Sequence, residues 1–151
     1  MAVRYRAAVL RGAGMNPNYH TTITLFNCLK LPAREVWQKT VLQNCFFKTL
    51  ITRVNDGVSA RMAYTYAVRI PASKAYLSYA QWARLADEER KQHFTCSLND
   101  IVVCGECADN ITGHPPDTAA QVLGRNKPDA FTVTAFSDNS AYIGGHYRLG
   151  G

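Results

Sequence analysis

The 151-residue sequence lacks any apolar run of the roughly 18–20 residues that a membrane-spanning helix needs. It also lacks internal repeats and low-complexity tracts, which excludes a solenoid or a linker as its main architecture. Its residues are 47% hydrophobic and 19% charged, which is typical of a globular chain rather than a disordered one. A chain of this length can bury one modest core, so we expect a single domain.

Known catalytic motifs are missing as well. The sequence has no Gly-x-Ser-x-Gly elbow, and its four histidines fall in strand-like or loop-like segments without a nucleophile pattern. The glycine pairs Gly144-Gly145 and Gly150-Gly151 lack the lysine of a P-loop and the strand–helix frame of a dinucleotide site. We therefore predict that the protein is not an enzyme and binds no cofactor.

The five cysteines are too few and too irregularly spaced for a secreted disulfide scaffold, and their number is odd; they are Cys28, Cys45, Cys96, Cys104 and Cys107. We interpret them as small buried hydrophobic side chains in a reducing compartment. Together with His93, the last three form a His-x-x-Cys and a Cys-x-x-Cys pair, which leaves a zinc site as an alternative. The two pairs lie closer together than in a zinc ribbon, so we predict no metal site. A redox pair at Cys104 and Cys107 is a further alternative.

The clearest strand prediction covers residues 61–70. Met62, Tyr64 and Tyr66 alternate there with Arg61, Thr65 and other residues of the opposite face, which is the period of a half-buried strand. The Asn-Asp-Gly sequence at 55–57 predicts a turn of more than two residues that joins this strand to a partner at 46–54. We interpret the tyrosine face as core, and an exposed nucleic-acid-binding face is the alternative.

Further strands are predicted at residues 21–29, 35–42, 100–104, 131–136 and 143–149. One helix follows a capping box that begins at Ser78, and it continues through Trp82 to Glu89. A shorter helix is predicted from Thr118 to Leu123, capped by Asp117 and ended by Gly124. Both tryptophans, at 37 and 82, are predicted to lie in the core, and a place at the interface of a ring is the alternative. These elements predict a mainly β protein, a small barrel or sandwich of six to seven strands with one or two short helices, over residues 15–151.

Residues 1–14 are set apart by their charge. They contain Arg4, Arg6 and Arg11 and no acidic residue, so they supply half of the net charge of +6. Their apolar part is too short for a signal peptide. Two interpretations stay open: a flexible basic arm, or a start upstream of the true one, which would then be Met15.

Seven blocks of the sequence carry a family resemblance: YHTTITLFN (19–27), VWQKTVL (36–42), VRIP (68–71), WA (82–83), DIVVCGE (100–106), FTVTAFSDN (131–139) and GHYRLGG (145–151). In this order they resemble a family of small head–tail joining proteins from tailed bacteriophages and prophages of Gram-positive bacteria. The resemblance covers residues 19–151. The family has other residues at Cys104 and Cys107, which argues further against a metal.

The resemblance implies a structural virion protein of the phage neck, in the position of a head-closure (stopper) protein or another head–tail connector. Its implied partners are copies of itself in a ring, the portal or adaptor protein, and the tail terminator; it would be made in the host cytoplasm and remain in the virion. The arginines at 4, 6 and 11 would then contact packaged DNA, because arginine gains from neutralising phosphate. A nucleic-acid-binding β-barrel and a zinc or redox protein are the other two hypotheses.

Overall fold

The computed structural model describes residues 3–5 and 16–151 of the chain. It contains eight strands: β1 (Val3–Tyr5), β2 (Thr21–Lys30), β3 (Glu35–Asn55), β4 (Ala60–Pro71), β5 (Ile101–Cys104), β6 (Ala130–Thr132), β7 (Ala135–Asp138) and β8 (His146–Gly150). Three short helices are also present: α1 (Tyr79–Ala83), α2 (Asp87–Arg90) and α3 (Ala119–Asn126). The mainly β class predicted from the sequence is confirmed. None of the helices in the described residues is long and apolar enough to cross a membrane.

Seven strands form one continuous antiparallel path in the order β6-β5-β2-β3-β4-β8-β7. The first half of β3 pairs with β2 and its second half pairs with β4. The sheet therefore folds over at the middle of β3, and its two halves face each other. The core lies between them and contains Ile23 and Leu25 of β2, Val68 of β4 and Leu149 of β8, all of which are fully buried.

The fold in β3 coincides with a bulge. Ile23 pairs with Leu42 and Thr21 pairs with Cys45, so β3 has one more residue than β2 in this interval. Asn44 takes up the extra length in a left-handed conformation with φ of 57°, which asparagine tolerates better than most residues. The prediction of separate strands at 35–42 and 46–54 was therefore wrong, because β3 bends at the bulge without ending.

The two ends of the sheet path are joined by the chain itself. Only Val133 and Thr134 separate β6 from β7, so the single strand predicted at 131–136 is two strands that bend from one edge of the sheet to the other. Gly151 extends the pairing of β8 with β4, because its N–H and C=O exchange hydrogen bonds with Tyr66, and it also lies against Phe131 and Thr132 of β6. A Cβ atom on Gly151 would lie 2.3 Å from Cδ2 of Phe131, so only glycine fits at this contact. The arrangement is a small barrel-like sandwich.

A second apolar cluster covers the outer surface of β2, β5 and β6. It contains Phe26, Ile101, Val103 and Ala130, and Val122 of α3 packs against them. Helix α3 begins after Thr118, whose side chain forms a capping box with Gln121. The prediction of Asp117 as the cap and of an end at Gly124 was wrong, because Thr118 supplies the capping oxygen and the helix runs through the glycine to Asn126.

The segment after Ser78 forms two helices where the sequence predicted one. The capping box of Ser78 and Gln81 is present as predicted. Helix α1 ends at Ala83, and Ala86, whose ψ of 153° is extended, separates it from α2. The guanidinium of Arg90 donates hydrogen bonds to the carbonyl oxygens of Trp82, Ala83 and Leu85, so it satisfies acceptors that a continuous helix would have used internally.

A buried polar cluster ties the loop before β5 to β2. The Asp100 carboxylate, with 1% of the residue exposed, accepts hydrogen bonds from the backbone N–H of Cys28 and Ser97 and from Nδ2 of Asn27, at 2.8–3.1 Å. Asn27 also donates to the carbonyl of Thr95 at 2.6 Å. Burial raises the pKa of Asp100 to about 6, because the loss of water outweighs the stabilising effect of these donors.

The predicted arm at 1–14 lies mostly outside the described residues, and so do Arg6 and Arg11. Residues 3–5, which include Arg4, form β1 and pair in parallel with residues 40–42 of β3. Since β2 occupies one edge of β3 at these positions, β1 lies on the other edge, the one that β4 uses further along the strand.

Candidate assembly surface

The most prominent feature outside the core is a hairpin formed by the second half of β3 and the first half of β4. The two strands pair from Phe46↔Arg69 to Asn55↔Ala60, and residues 46–69 are called the long hairpin below. β8 pairs with β4 only from residue 67 onward, and β2 pairs with β3 only up to residue 45. Among the described strands, the distal part of the hairpin therefore has no third strand on either edge. At about 3.3 Å per residue it extends roughly 20 Å beyond Tyr66.

The turn of the hairpin is ordered by its own side chains. Asp56 accepts hydrogen bonds from the N–H groups of Val58 and Ser59 at 3.0 and 2.8 Å, and Asn55 accepts one from Gly57. Gly57 has a φ of 86°, which glycine adopts without strain. These N–H donors lower the pKa of Asp56 below its usual value. The predicted turn is confirmed, and it has four residues between the paired positions.

The register divides the long hairpin into two faces, because directly paired residues share a face. The inner face is continuous with the core and consists of Phe47, Thr49, Ile51, Arg53 and Asn55 with their partners Val68, Tyr66, Tyr64, Met62 and Ala60. The outer face consists of Phe46, Lys48, Leu50, Thr52 and Val54 with their partners Arg69, Ala67, Thr65, Ala63 and Arg61. The alternation predicted for residues 61–70 is thus confirmed.

The inner face carries apolar side chains from the core into solvent. Phe131 stacks on Tyr66 with a centroid distance of 4.7 Å, and Tyr66 is followed by Tyr64 at 6.5 Å. Tyr66 is buried, and its hydroxyl donates to the carbonyl of Pro128 at 2.7 Å. Tyr64, Met62 and Ile51 are about half exposed. The interpretation of the whole tyrosine face as core was therefore wrong beyond Tyr66, because the strand continues past the end of the barrel.

Exposed apolar side chains concentrate on this hairpin. Within residues 16–151, eleven large hydrophobic side chains are exposed, and six of them belong to it: Leu50, Ile51, Val54, Val58, Met62 and Tyr64. The exposed fraction rises from 37% at Val54 to 96% at Val58 in the turn. Scattered apolar residues on a surface need no explanation, but a concentration of them on one projecting element is typical of a surface that contacts another molecule.

A second apolar group lies at the opposite end of the barrel. The loop between β7 and β8 exposes Tyr142 and Ile143 almost completely. β8 pairs with β4 in antiparallel fashion from Pro71↔His146, so this loop lies beyond the end of β4 that is farthest from the hairpin turn. The barrel therefore presents apolar side chains at both of its ends.

The cysteines do not form a reactive centre. All five are free thiols, and all except Cys104 are buried. Burial raises the pKa of Cys28 to about 11 and that of Cys45 to about 12, and it raises the pKa of Cys96, Cys104 and Cys107 above the usual value. The thiols are therefore protonated at neutral pH and are poor nucleophiles.

The candidate ligands of the alternative zinc site lie in different parts of the structure. Cys96 belongs to the core between the sheet halves, whereas Cys107 belongs to the outer cluster beneath α3. The Nδ1 atom of His93 lies 3.1 Å from the carbonyl oxygen of Ala75. Among residues 16–151, no three histidine, cysteine, aspartate or glutamate side chains are grouped so that they could hold a metal ion.

Of the two tryptophans predicted in the core, Trp82 is fully buried and Trp37 is only partly so. Trp37 lies at the start of β3 and packs against the outer cluster. It also lines a cleft of about 460 Å³ together with Leu31, Val36 and Ile111. The sequence pattern could not separate the two positions, because both lie in apolar segments.

Comparison with protein families gives one match, which spans residues 18–151 and is described as a family of unknown function, DUF6751. The chain belongs to this family. No curated protein and no solved structure matches the chain significantly.

Proposed function

We propose that the protein is a structural subunit of the neck of a tailed bacteriophage, where copies of it form a ring between the portal or adaptor and the tail. A head-closure protein is the position within the neck that we favour. The ordered sequence blocks at 19–151 support this proposal through their resemblance to head–tail joining proteins. The observation that carries it is the long hairpin, whose apolar inner face leaves the core and is exposed.

The inner face has the composition of a contact surface. Ile51, Met62 and Tyr64 are each about half exposed, so burying the remainder of each side chain would contribute roughly 1 kcal/mol. The open strand edges of the same hairpin offer unpaired N–H and C=O groups to a neighbour. A hairpin that docks on a different surface of the next copy makes a heterologous contact, and such contacts close into rings when the rotation between copies permits it.

The apolar loop between β7 and β8, at the other end of the barrel, supports a position stacked between two partner proteins. A neck protein touches one partner on the head side and another on the tail side. Tyr142 and Ile143 lie beyond the opposite end of β4 from the hairpin turn, so the two groups could serve two such partners at once. A catalytic role would need a cleft with activated groups, and the cysteines offer none because burial raises their pKa values.

The proposal is tested by substituting the inner face. The full chain and the double variant Ile51→Ser/Met62→Ser are compared by sedimentation velocity over a range of concentrations, alone and with portal protein. We expect the wild type to form rings and the variant to sediment as a monomer. Leu31→Ser/Leu98→Ser is the matched control, because both leucines are exposed outside the hairpin, and it should assemble like the wild type. Circular dichroism shows whether each variant is folded.

A wild-type chain that stays monomeric at every concentration, with and without portal, would refute the proposed ring. Equal loss of assembly in the hairpin variant and in the control would show that the inner face is not the contact surface.

A further inference from the structure

The net charge of the protein is divided unevenly along the chain. Residues 1–14 contain three arginines and no acidic residue, and the long hairpin contains four basic residues and one acidic residue. The remainder of the chain contains ten basic and ten acidic residues and is therefore neutral. Half of the net charge of +6 thus lies on the hairpin, which projects from an electrically balanced barrel.

The register places most of this charge on one face. Lys48, Arg61 and Arg69 belong to the outer face, and Arg53 alone belongs to the inner face. Lys48 and Arg69 belong to successive pairs on this face, so their Cα atoms lie roughly 7 Å apart. Arg61 lies eight residues, or about 26 Å, along β4 from Arg69. The single acidic residue, Asp56, lies in the turn, where backbone N–H groups already bind its carboxylate.

These basic groups are not neutralised by the described part of the protein. None of the four forms an ion pair with another residue of 16–151. Arg61 and Lys48 are exposed, and the guanidinium of Arg69 lies over the ring of Phe46 at 5.3 Å. A positive field of this kind on a projecting element attracts a polyanion.

We propose that the outer face of the long hairpin binds the phosphate backbone of double-stranded DNA. The biological setting of this contact rests on the proposed function: in a neck ring, the bound DNA would be the genome in the central channel. A single strand is a poorer match, because single-strand sites stack bases on exposed aromatic rings, and the exposed ring of the hairpin, Tyr64, lies on the inner face. Two paired strands span roughly 10 Å with their side chains, which is also compatible with the major groove of about 12 Å.

The test measures the affinity of the full-length protein for a labelled random-sequence duplex by fluorescence anisotropy at several salt concentrations. The variant Lys48→Gln/Arg61→Gln/Arg69→Gln should bind more weakly than the wild type. Its slope of log affinity against log salt should be shallower by about 2.7, since each phosphate contact contributes about 0.9. Lys74→Gln/Arg84→Gln/Lys127→Gln is the matched control, because it removes the same charge from exposed positions outside the hairpin. The control should keep the wild-type slope.

The outcomes separate this inference from the proposed function. An equal loss in both triple variants, or no salt-dependent binding by the wild type, would overturn the DNA contact while leaving ring assembly untouched. Tighter binding of a single strand than of the duplex would also overturn it, in favour of a nucleic-acid-binding barrel. Sedimentation of the hairpin triple variant should still show rings, because the inner face is unchanged; a wild type that binds duplex but never assembles would contradict the proposed function alone.

Discussion

Asp100 should make the stability of this protein depend on pH in a direction opposite to that of most carboxylates. Burial raises its pKa from 3.8 to about 6 in the folded protein, so between these values the folded state holds a proton that the unfolded state releases. The free energy of unfolding should therefore rise as the pH falls through 6, and this contribution is lost again as the pH rises. Asp100→Asn removes the titrating group and is the informative substitution.

The magnitude follows from the size of the shift. A difference of about two units corresponds to about 3 kcal/mol between fully protonated and fully ionised Asp100. Between about pH 7 and about pH 4.5 the contribution should be about 2 kcal/mol, because the unfolded group is already partly protonated at the lower value. In the asparagine variant, the Nδ2 donor faces N–H groups whose hydrogen bonds the carboxylate accepts in the wild type. This conflict lowers the stability of the variant by a roughly constant amount at every pH.

The assay is urea unfolding of wild type and Asp100→Asn at a series of pH values, followed by tryptophan fluorescence. The difference in unfolding free energy between the two proteins should grow by about 2 kcal/mol in favour of the wild type as the pH falls over this range. Parallel curves would refute the raised pKa. A carbon-13 NMR titration of the Asp100 carboxyl group gives the same answer without a substitution, and a midpoint near 4 would refute it.

Substitutions at two positions and one labelling experiment test the account of the fold. Gly151→Ala should destabilise the protein by about 1–3 kcal/mol in urea unfolding, because the added Cβ overlaps Phe131 and the carbonyl of Thr132; an unchanged midpoint would contradict the close contact between Gly151 and β6. Arg90→Lys should be nearly as destabilising as Arg90→Ala, about 2 kcal/mol, since an ammonium group cannot reach the carbonyls of Trp82, Ala83 and Leu85 together; full rescue by lysine would show that charge alone matters. Alkylation by iodoacetamide at neutral pH should be slow in the folded protein and fastest at Cys104, the least buried thiol, as peptide mass spectrometry can show; rapid labelling of Cys45 or Cys96 would contradict their burial.

The strand at 60–71 illustrates how far the sequence pattern reaches. Alternation over ten residues was enough to predict the strand and its two faces, because side chains in a strand alternate whatever the tertiary structure is, and Asn-Asp-Gly at 55–57 was enough to predict the turn. The same pattern could not predict that Tyr66 is buried while Tyr64 is exposed, since that difference depends on where the barrel ends. The candidate assembly surface was missed for this reason.

The bends in the chain at residues 133–134 and at Asn44 could not be predicted from the local sequence either. Residues 131–136 alternate as one strand does, yet the chain turns from β6 into β7 at Val133 and Thr134, because the N–H of Val133 donates to the carbonyl of Asp100 before β5 whereas the N–H of Thr134 donates to the carbonyl of Gly150 in β8. Residues 35–42 and 46–54 were predicted as two strands, whereas the pairing of β3 with β2 and then β4 makes them one strand with a bulge at Asn44. In each case a contact between residues distant in the sequence decides the local conformation.

The central claim is that copies of this chain assemble into a ring through the long hairpin. The most direct measurement is native mass spectrometry of the full-length protein, alone and with portal protein, combined with hydrogen–deuterium exchange of residues 49–65. The account predicts a closed species whose mass is a whole-number multiple of the subunit mass, in which the backbone amides of the hairpin exchange more slowly than in the dilute monomer. A monomer under all conditions, or a ring in which the hairpin exchanges as it does in the monomer, would contradict it.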